Sequence, residues 1–551
     1  MHASGQLTQS ESALGWWSAD GEAPQPVESF IAEALADLRR PFYIVTLRDG
    51  SLAVGRGGVA QVGEQGPPAG ARKIVGHVPA CKVENLGDPS FLEAHRIRYA
   101  YLTGAMANGI GSTEVVTAMG RAGMLGFFGS AGLLPAEVEA AIDRLERDLG
   151  ETPFGFNLIH SPNEPNLEAA VVELYLRRGV HLVEASAYLD LTLPIIRYRC
   201  NGIHRRPSGE IVTPNQIIAK ASRVEVATKF FSPPPEARLR ELVAMGEITE
   251  AQAALAASIP MAQDLTVEAD SAGHTDNRPA LAVLPTMLSL RDRMQSRYEY
   301  EPRLRVGLAG GISTPASAAA AFAMGAGYVL TGSVNQASVE ADTSDFVREM
   351  LAGAGQADIM MAPAADMFEM GVKLQVLKRG TMFGMRASKL YDLYRSCSSI
   401  EDIPVAERSM IEKNFFRASL EEIWEKTIAF FDERDPSQIE RARKDPKRKM
   451  GLIFRWYLGM SSIWANSGEP TRKMDYQIWC GPAMGAFNEW VAGSPLELLR
   501  NRTVVTMALN ILHGAAVLSR VHALRCQGAR IPSGAGSPRP LDLETLMERI
   551  R

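Results

Sequence analysis

Cysteine is scarce in this sequence: there are five in 551 residues, Cys81, Cys200, Cys397, Cys480 and Cys526, and none has CxxC spacing. That scarcity argues against a disulfide framework and a cysteine-rich zinc site, and it fits a reducing compartment. A surplus of positive charge is also missing, since 58 Lys and Arg stand against 63 Asp and Glu, a formal net charge of -5. No basic excess is available for phosphate backbones, so nucleic acid is not an expected partner. Long apolar runs are lacking as well. The most apolar stretch, Met507 to Leu518, is interrupted by Asn510 and His513 and is shorter than a bilayer span, so no membrane is expected. The N-terminus, MHASGQLTQSESALGWW, has no basic region followed by an apolar core. No secretory signal is expected, and the default compartment is the cytoplasm.

What is present is an ordinary soluble composition, 46% hydrophobic and 22% charged, in a chain too long for one compact core. Two or three domains are the expectation. The polar start is expected to be partly disordered, although Trp16 and Trp17 suggest that something packs there. Pro41 to Gly58 reads as a small β unit with Asp49-Gly50 as its hairpin turn. The following Gly55-Arg56-Gly57-Gly58-Val59-Ala60 fits GxGxxA by spacing, but Gln, Gly and Pro come after it rather than a helix. It reads as a loop and not as a dinucleotide fingerprint.

From Tyr99 onward strands and helices alternate. Strand-like runs are Tyr99 to Ala105, Met124 to Phe128, Phe154 to Ile159, Val180 to Glu184, Ile217 to Ala219, Leu265 to Ala269, Leu304 to Ala309 and Tyr328 to Leu330. Eight such units separated by helical segments predict a parallel α/β fold closed into a (β/α)8 barrel. The expected division is an N-terminal segment over 1–95, a barrel over 96–380, a helical domain over 381–530, and a linker and tail over 531–551. An insertion over 231–259, opening with Pro233-Pro234-Pro235, can form a lid or contact a partner. Ser533 to Pro540 has linker composition. Leu543, Leu546, Met547 and Ile550 can line one face of a last helix, or that segment can be a frayed tail.

The seventh and eighth strand-like runs carry the strongest chemical signal. The seventh ends in Gly310-Gly311, and Ser313 or Thr314 then caps a helix with Pro315 at its first position and Gly325 past its end. The eighth ends in Gly332-Ser333. Two adjacent glycine ends bring bare N–H groups together beside a helix N-terminus, which is a phosphate cradle; a tight turn is the plainer reading of Gly-Gly alone. Around the same barrel mouth the strand ends offer Gly104 to Gly109, Asn157, Lys220 and Ala269 to His274. Lys220 follows three apolar residues. It either stabilises negative charge on a ligand or pairs with a strand-end carboxylate such as Glu184. His274, among glycine and hydroxyl residues, is either a proton donor or acceptor or a structural hydrogen-bonder.

Gly104 to Ile110, Phe154 to Leu158, Ala269 to His274, Ala309 to Ile312 and Thr331 to Ser333 resemble the nitronate monooxygenase and enoyl reductase group of FMN-dependent barrels. The longer runs EADSAGHTDNRP, MMAPAADMFEMGVKLQVLKRGTMFGMRASKLYDLY and DYQIWCGPAMGAFNEW resemble PfaD-type enoyl reductases, which act in trans on polyketide and polyunsaturated fatty acid synthases. The resemblance implies FMN contacts at Ala105, Met106, Asn157, Lys220, Ala272, Gly273, Gly310, Gly311, Gly332 and Ser333. It makes His274 the active-site histidine; the cation of Lys220, if it serves a flavin, would stabilise the negative charge of the reduced ring on its pyrimidine side. The wider group often has Gly-Gly-His where this chain has Ala272-Gly273-His274, and the extra methyl group narrows the space beside the flavin.

The expected reaction is NADPH-driven reduction of a 2-enoyl thioester on an acyl carrier protein. NADPH and the carrier protein follow from the resemblance alone, and a homodimer is left open. Arg441, Arg443, Lys444, Lys447, Arg448 and Lys449 form the densest basic run; it is either a docking surface for an acidic carrier or a solvated helix. Alternatives are a nitronate-oxidising flavin barrel and a non-catalytic synthase scaffold. An IMP dehydrogenase-like barrel needs a loop cysteine, and there is none from Asn201 to Ser396.

Overall fold

The computed structural model describes residues 14–63, 68–160, 162, 164–529, 531–532 and 534–550. The polar start before residue 14, with the expectations of disorder and of no secretory signal, and Ser533 of the expected linker lie outside the described residues.

Eight parallel strands close into a barrel in sequence order: β1 (Tyr101–Thr103), β2 (Leu125–Phe128), β3 (Gly155–Ile159), β4 (Leu182–Ser186), β5 (Gln216–Ala221), β6 (Asp264–Glu268), β7 (Arg305–Ala309) and β8 (Val329–Thr331), with β8 pairing back onto β1. Every strand read from the sequence is there. Strands covered on both faces select near-continuous apolar runs, and β6 and β7 are buried at every position. The barrel interior is packed rather than hollow, with Leu102, Phe127, Leu182, Ile218, Tyr328 and Leu330 in one cluster above Phe91 and Ile97. Between β7 and β8, Thr314 caps the helix Pro315–Ala323 by accepting from the Ser317 amide at 3.3 Å, and Pro315 occupies the first turn.

Before the barrel, six antiparallel strands form a sheet that packs on the helix Val27–Ala36. The strands Phe42–Thr46 and Leu52–Arg56 make the expected hairpin, with Gly50 at φ 85°. Trp17 is fully buried and its Nε1 donates to Gly57 O at 2.8 Å. The GxGxxA stretch is not a loop throughout: Gly55-Arg56 ends a strand, Gly57 at φ 63° and Gly58 at φ 73° make a turn, and Val59-Ala60 begins the strand Val59–Val62, with no helix after the glycines.

The insertion between β5 and β6 holds two helices, Glu236–Ala244 and Glu250–Ala256, which pack on the outer helix Leu193–Cys200. They sit on the barrel wall and contribute nothing to the mouth.

After β8 come the helices Ser333–Gln336 and Asp345–Ala352, an antiparallel hairpin of Ile359–Pro363 with Lys373–Leu377, and then further helices. The hairpin lies in the stretch expected to belong to the barrel. Its buried residues Ala362, Leu374 and Val376 instead share a hydrophobic cluster with the helices Phe383–Ser396, Leu420–Arg434 and Pro446–Ser467. The last long helix, Val504–Cys526, departs from expectation in two ways. It has 23 residues, long and apolar enough to cross a membrane, yet 83% of its apolar window is buried inside the protein. It also belongs to the barrel core, packing on Pro315–Ala323, Thr113–Arg121 and the strand Arg72–Val78. Gly514 permits this approach, because a Cβ there would lie 2.5 Å from Pro315 Cγ.

The terminal segment is a docked helix, Leu543–Ile550, rather than a frayed tail. It packs on Val504–Cys526 with Leu546 and Ile550 buried, each worth about 1.5–3 kcal/mol.

Candidate active site

The strand ends at the C-terminal face of the barrel open into one cavity of about 510 Å³. Ala105, Met106, Asn157, Lys220, Ala272, Gly273, His274, Gly310, Gly311, Gly332 and Ser333 all line it. The cavity is roofed by residues the sequence did not single out. Thr427, Phe430, Phe431 and Arg434 come from the helix Leu420–Arg434, and Leu452, Arg455, Trp456, Met460 and Ile463 from Pro446–Ser467. The helical region therefore covers the barrel mouth. Polar contacts that tie roof to barrel include Asn108 Nδ2 donating to Ser462 Oγ at 2.9 Å, Ser344 Oγ donating to Ala465 O at 2.7 Å, and Arg434 Nη2 lying 3.3 Å from Glu164 Oε2.

At one side of the cavity, Gly310 and Gly311 turn at φ 86° and 76°. A Cβ on Gly310 would meet Ala269 C at 2.7 Å, so only glycine fits there, whereas a Cβ on Gly311 or Gly332 would meet nothing within 4 Å. Among the described residues, the amides of Gly311 and Gly332 donate to no acceptor. Ser333 Oγ accepts from the Gly481 amide at 3.0 Å, which leaves its own proton for an acceptor in the cavity.

Across the mouth, Lys220 Nζ lies 3.0 Å from Glu268 Oε1 and 3.9 Å from Glu184 Oε2. The expected pairing with Glu184 is thus present, and Glu268 is the closer partner. Burial works to lower the Lys220 pKa, but the charges of Glu184 and Glu268 outweigh it and the ammonium is held above its ordinary range. Burial pushes the Glu184 carboxyl up, against the opposing pull of Lys220 and of the Ala105 amide, which donates to Glu184 Oε2 at 2.9 Å. That amide is therefore not free for a ligand. Asn157 is held by donating from Nδ2 to Ser186 Oγ at 2.8 Å and to Glu184 O at 3.1 Å.

His274 Nε2 lies 3.2 Å and 3.1 Å from the two carboxylate oxygens of Asp366, which comes from the hairpin beyond the barrel. Burial works to lower the His274 pKa, and Asp366 with Glu268 overcomes this and raises it. Asp366 is in turn held below the usual carboxylate range: burial raises it, and His274 overcomes that.

In the densest basic run Arg441, Arg443 and Lys444 are exposed, while Lys447, Arg448 and Lys449 are half-buried. Lys447 Nζ donates to Cys397 O and packs over Tyr394, Arg448 donates to Gln438, Lys449 packs over Trp424, and Arg441 donates to Ser437.

A barrel whose mouth gathers paired glycine ends, a buried cation and a carboxylate-bound histidine defines a class: the chain belongs to the nitronate monooxygenase family, which matches residues 89–386. Residues 397–476, most of the roof, match a second family described as the inserted helical domain of [acyl-carrier-protein] S-malonyltransferase. The chain is 48% identical over 455 residues to one component of the polyunsaturated fatty acid synthase of Thraustochytrium sp., covering 81% of this chain and 30% of that one. It is 46% identical over 436 residues to the polyketide biosynthesis protein PksE of Bacillus subtilis, covering 79% and 56%. The chain thus spans about half or less of these curated relatives. The crystal structure of the enoyl reductase domain of MlnA, from the macrolactin biosynthesis cluster of Bacillus amyloliquefaciens, superposes with a TM-score of 0.76 at 40% identity, covering 80% of this chain and all of that one. Within that family the chain is similar, over about four fifths of its length, to components of polyunsaturated fatty acid and polyketide biosynthesis systems and to the MlnA enoyl reductase domain.

Proposed function

We propose that the chain is an enoyl reductase that holds FMN, takes electrons from NADPH, and reduces the α,β double bond of a 2-enoyl thioester carried on an acyl carrier protein, working in trans with a polyketide or polyunsaturated fatty acid synthase. The observation that carries the reading is the convergence of all the candidate residues on one cavity beneath an apolar roof. Its volume lies within the roughly 300–1,000 Å³ of small-molecule sites.

The residues present fit a flavin nucleotide. Gly310, Gly311, Gly332 and Ser333 would hold its phosphate on amides and a hydroxyl, and Lys220 and Asn157 would face its ring. When bound, a flavin stores two electrons from a nicotinamide and releases them as a hydride to a substrate carbon. The chain's own part is to orient and to move protons. Lys220, kept charged by two carboxylates, supplies fixed positive potential at the mouth. His274, which lines the same cavity, would polarise a thioester's carbonyl or protonate its α-carbon. Phe430, Phe431, Leu452, Trp456 and Ile463 offer apolar contact to an acyl chain and exclude water.

The apolar roof favours an acyl substrate over a small nitronate, the chemistry of the family's name. Anaerobic reduction of the flavin by NADPH followed by reoxidation with crotonyl thioester tests the choice. Rapid nitronate turnover without enoyl reduction would overturn it, and a protein that stays colourless with added FMN would leave only a scaffold. His274→Ala is expected to keep the yellow colour and slow reoxidation by enoyl thioester.

A further inference from the structure

His274 belongs to the loop after β6, while Asp366 lies 92 residues further on, in the loop of the hairpin Ile359–Pro363 with Lys373–Leu377. Both side chains line the cavity, and both oxygens of Asp366 lie within 3.2 Å of His274 Nε2. We infer that Asp366 is a positioning residue for the reaction: it accepts from Nε2–H of His274, fixes the ring's orientation and tautomer, and leaves Nδ1 as the nitrogen that delivers a proton to the substrate. The inference rests on the enoyl reductase reading.

An ordinary exposed ion pair would hold two flexible chains loosely and do little. Here the carboxylate is mounted on a fixed loop, since Ala364, Met367 and Phe368 on either side of it are buried, the first and last in the roof's hydrophobic cluster. A ring oriented by a carboxylate on one nitrogen presents the other in a set direction. The charged groups facing the ring are Asp366 from the hairpin, Glu268 from β6 and Lys220 from β5, with Arg455 of the roof acting on Asp366. Glu268 is engaged by Lys220 at 3.0 Å, so Asp366 is the carboxylate bonded to the imidazole itself.

The hydride brings two electrons to the substrate's β-carbon, the C=C pair moves onto the α-carbon, and a C–H bond forms there as the Nδ1–H bond breaks. His274 changes protonation and not oxidation state, and solvent returns its proton. The step needs the protonated ring, so activity falls as pH rises through the His274 pKa. The carboxylate favours the protonated ring and extends activity to higher pH.

The test compares Asp366→Asn and Asp366→Glu with the parent, all loaded with flavin. The Asn variant is expected to lose roughly 10- to 100-fold in reoxidation by crotonyl thioester at neutral pH, with the basic limb of its pH profile moved to lower pH. The Glu variant is expected to restore the limb. Independently of turnover, the histidine-labelled protein is titrated by NMR, and the His274 midpoint is expected to fall in the Asn variant. A uniform rate loss with an unmoved limb, or identical NMR midpoints, would overturn the proposal. Failure of the parent itself to reduce crotonyl thioester would defeat the enoyl reductase reading and with it the proton-delivery role, whereas a shifted NMR midpoint would still uphold the Asp366–His274 coupling.

Discussion

Lys220 Nζ sits 3.0 Å from Glu268 Oε1, one strand over on the barrel wall, and both side chains are almost completely buried. The pair has a second carboxylate behind it, Glu184, fully buried and 3.9 Å from the same ammonium. Removing the cation while keeping its volume, as in Lys220→Met, leaves two carboxylates together out of water. The expected cost is about 3–5 kcal/mol, the range for breaking a buried ion pair from one side.

The pH dependence of that cost has a definite sign. Without Lys220 the carboxylate pair takes up a proton in the folded state, because burial already raises Glu184 and nothing cationic then opposes it. A folded state that binds more protons than the unfolded one loses stability as pH rises. Denaturant melts are expected to show the Lys220→Met deficit shrinking from pH 8 toward pH 5; a constant deficit would mean that the lysine acts through packing alone.

Gly332 separates cofactor binding from folding. Its φ of -130° is outside the left-handed region that favours glycine, and a Cβ there would enter open space in the cavity. Gly332→Ala is therefore expected to leave the melting temperature within a degree or two, while placing a methyl group where a ligand's phosphate would approach the amides. Flavin affinity measured by fluorescence titration is expected to fall by about tenfold or more, equivalent to about 1.4 kcal/mol. An unchanged affinity would remove the glycine end of β8 from the cradle.

The barrel was legible because its strands are covered on both faces, so each appears as a short apolar run without competing periodicity. The glycine ends were legible because only glycine tolerates the close approach at Gly310. The roof was not. Its helices are ordinary amphipathic segments, and what brings Trp456 and Phe430 over the mouth is packing between distant parts of the chain. Asp366 had no local signal either, because its partner is supplied by another loop. Asn510 misled the reading of the last long helix: it looks like an interruption, yet Nδ2 donates to Thr506 O and Leu541 O at 2.9 Å, and the Leu541 amide donates back to its Oδ1. The two bonds to Leu541 hold the approach to the terminal helix, which composition alone made look frayed.

The barrel floor carries the clearest stability prediction away from the site. Asp264 accepts from Arg305 Nε at 2.6 Å and Nη2 at 3.0 Å and lies 2.9 Å from His95 Nε2, all three side chains being buried. Burial would raise its pKa, but Arg305 and His95 hold it well below the usual range. A depressed carboxylate contributes stability above its unfolded pKa and loses it as pH falls through the folded one. Asp264→Asn is expected to cost about 3–5 kcal/mol near neutral pH, with the gap from the parent closing only in strong acid. Because the triad lies at the opposite end of β6 from His274, flavin affinity per folded molecule is expected to be unchanged, and a large loss of affinity would show that the floor is coupled to the mouth.

Ile463 tests what the roof is for. It lines the cavity yet is 50% exposed, as is Phe430 on the neighbouring helix, so the two mark an apolar rim where a chain longer than the cavity would emerge. A four-carbon enoyl group ends before it reaches such a rim, whereas a longer chain lies across it. Each methylene taken out of water there is worth about 0.8 kcal/mol. Ile463→Glu replaces that contact with a charge that an alkyl chain must desolvate. The ratio of kcat/KM for a ten-carbon over a four-carbon enoyl thioester is therefore expected to fall about tenfold, with the loss mainly in KM. Equal losses for both substrates would mean that the helix sets the height of the cavity rather than the path of the acyl chain.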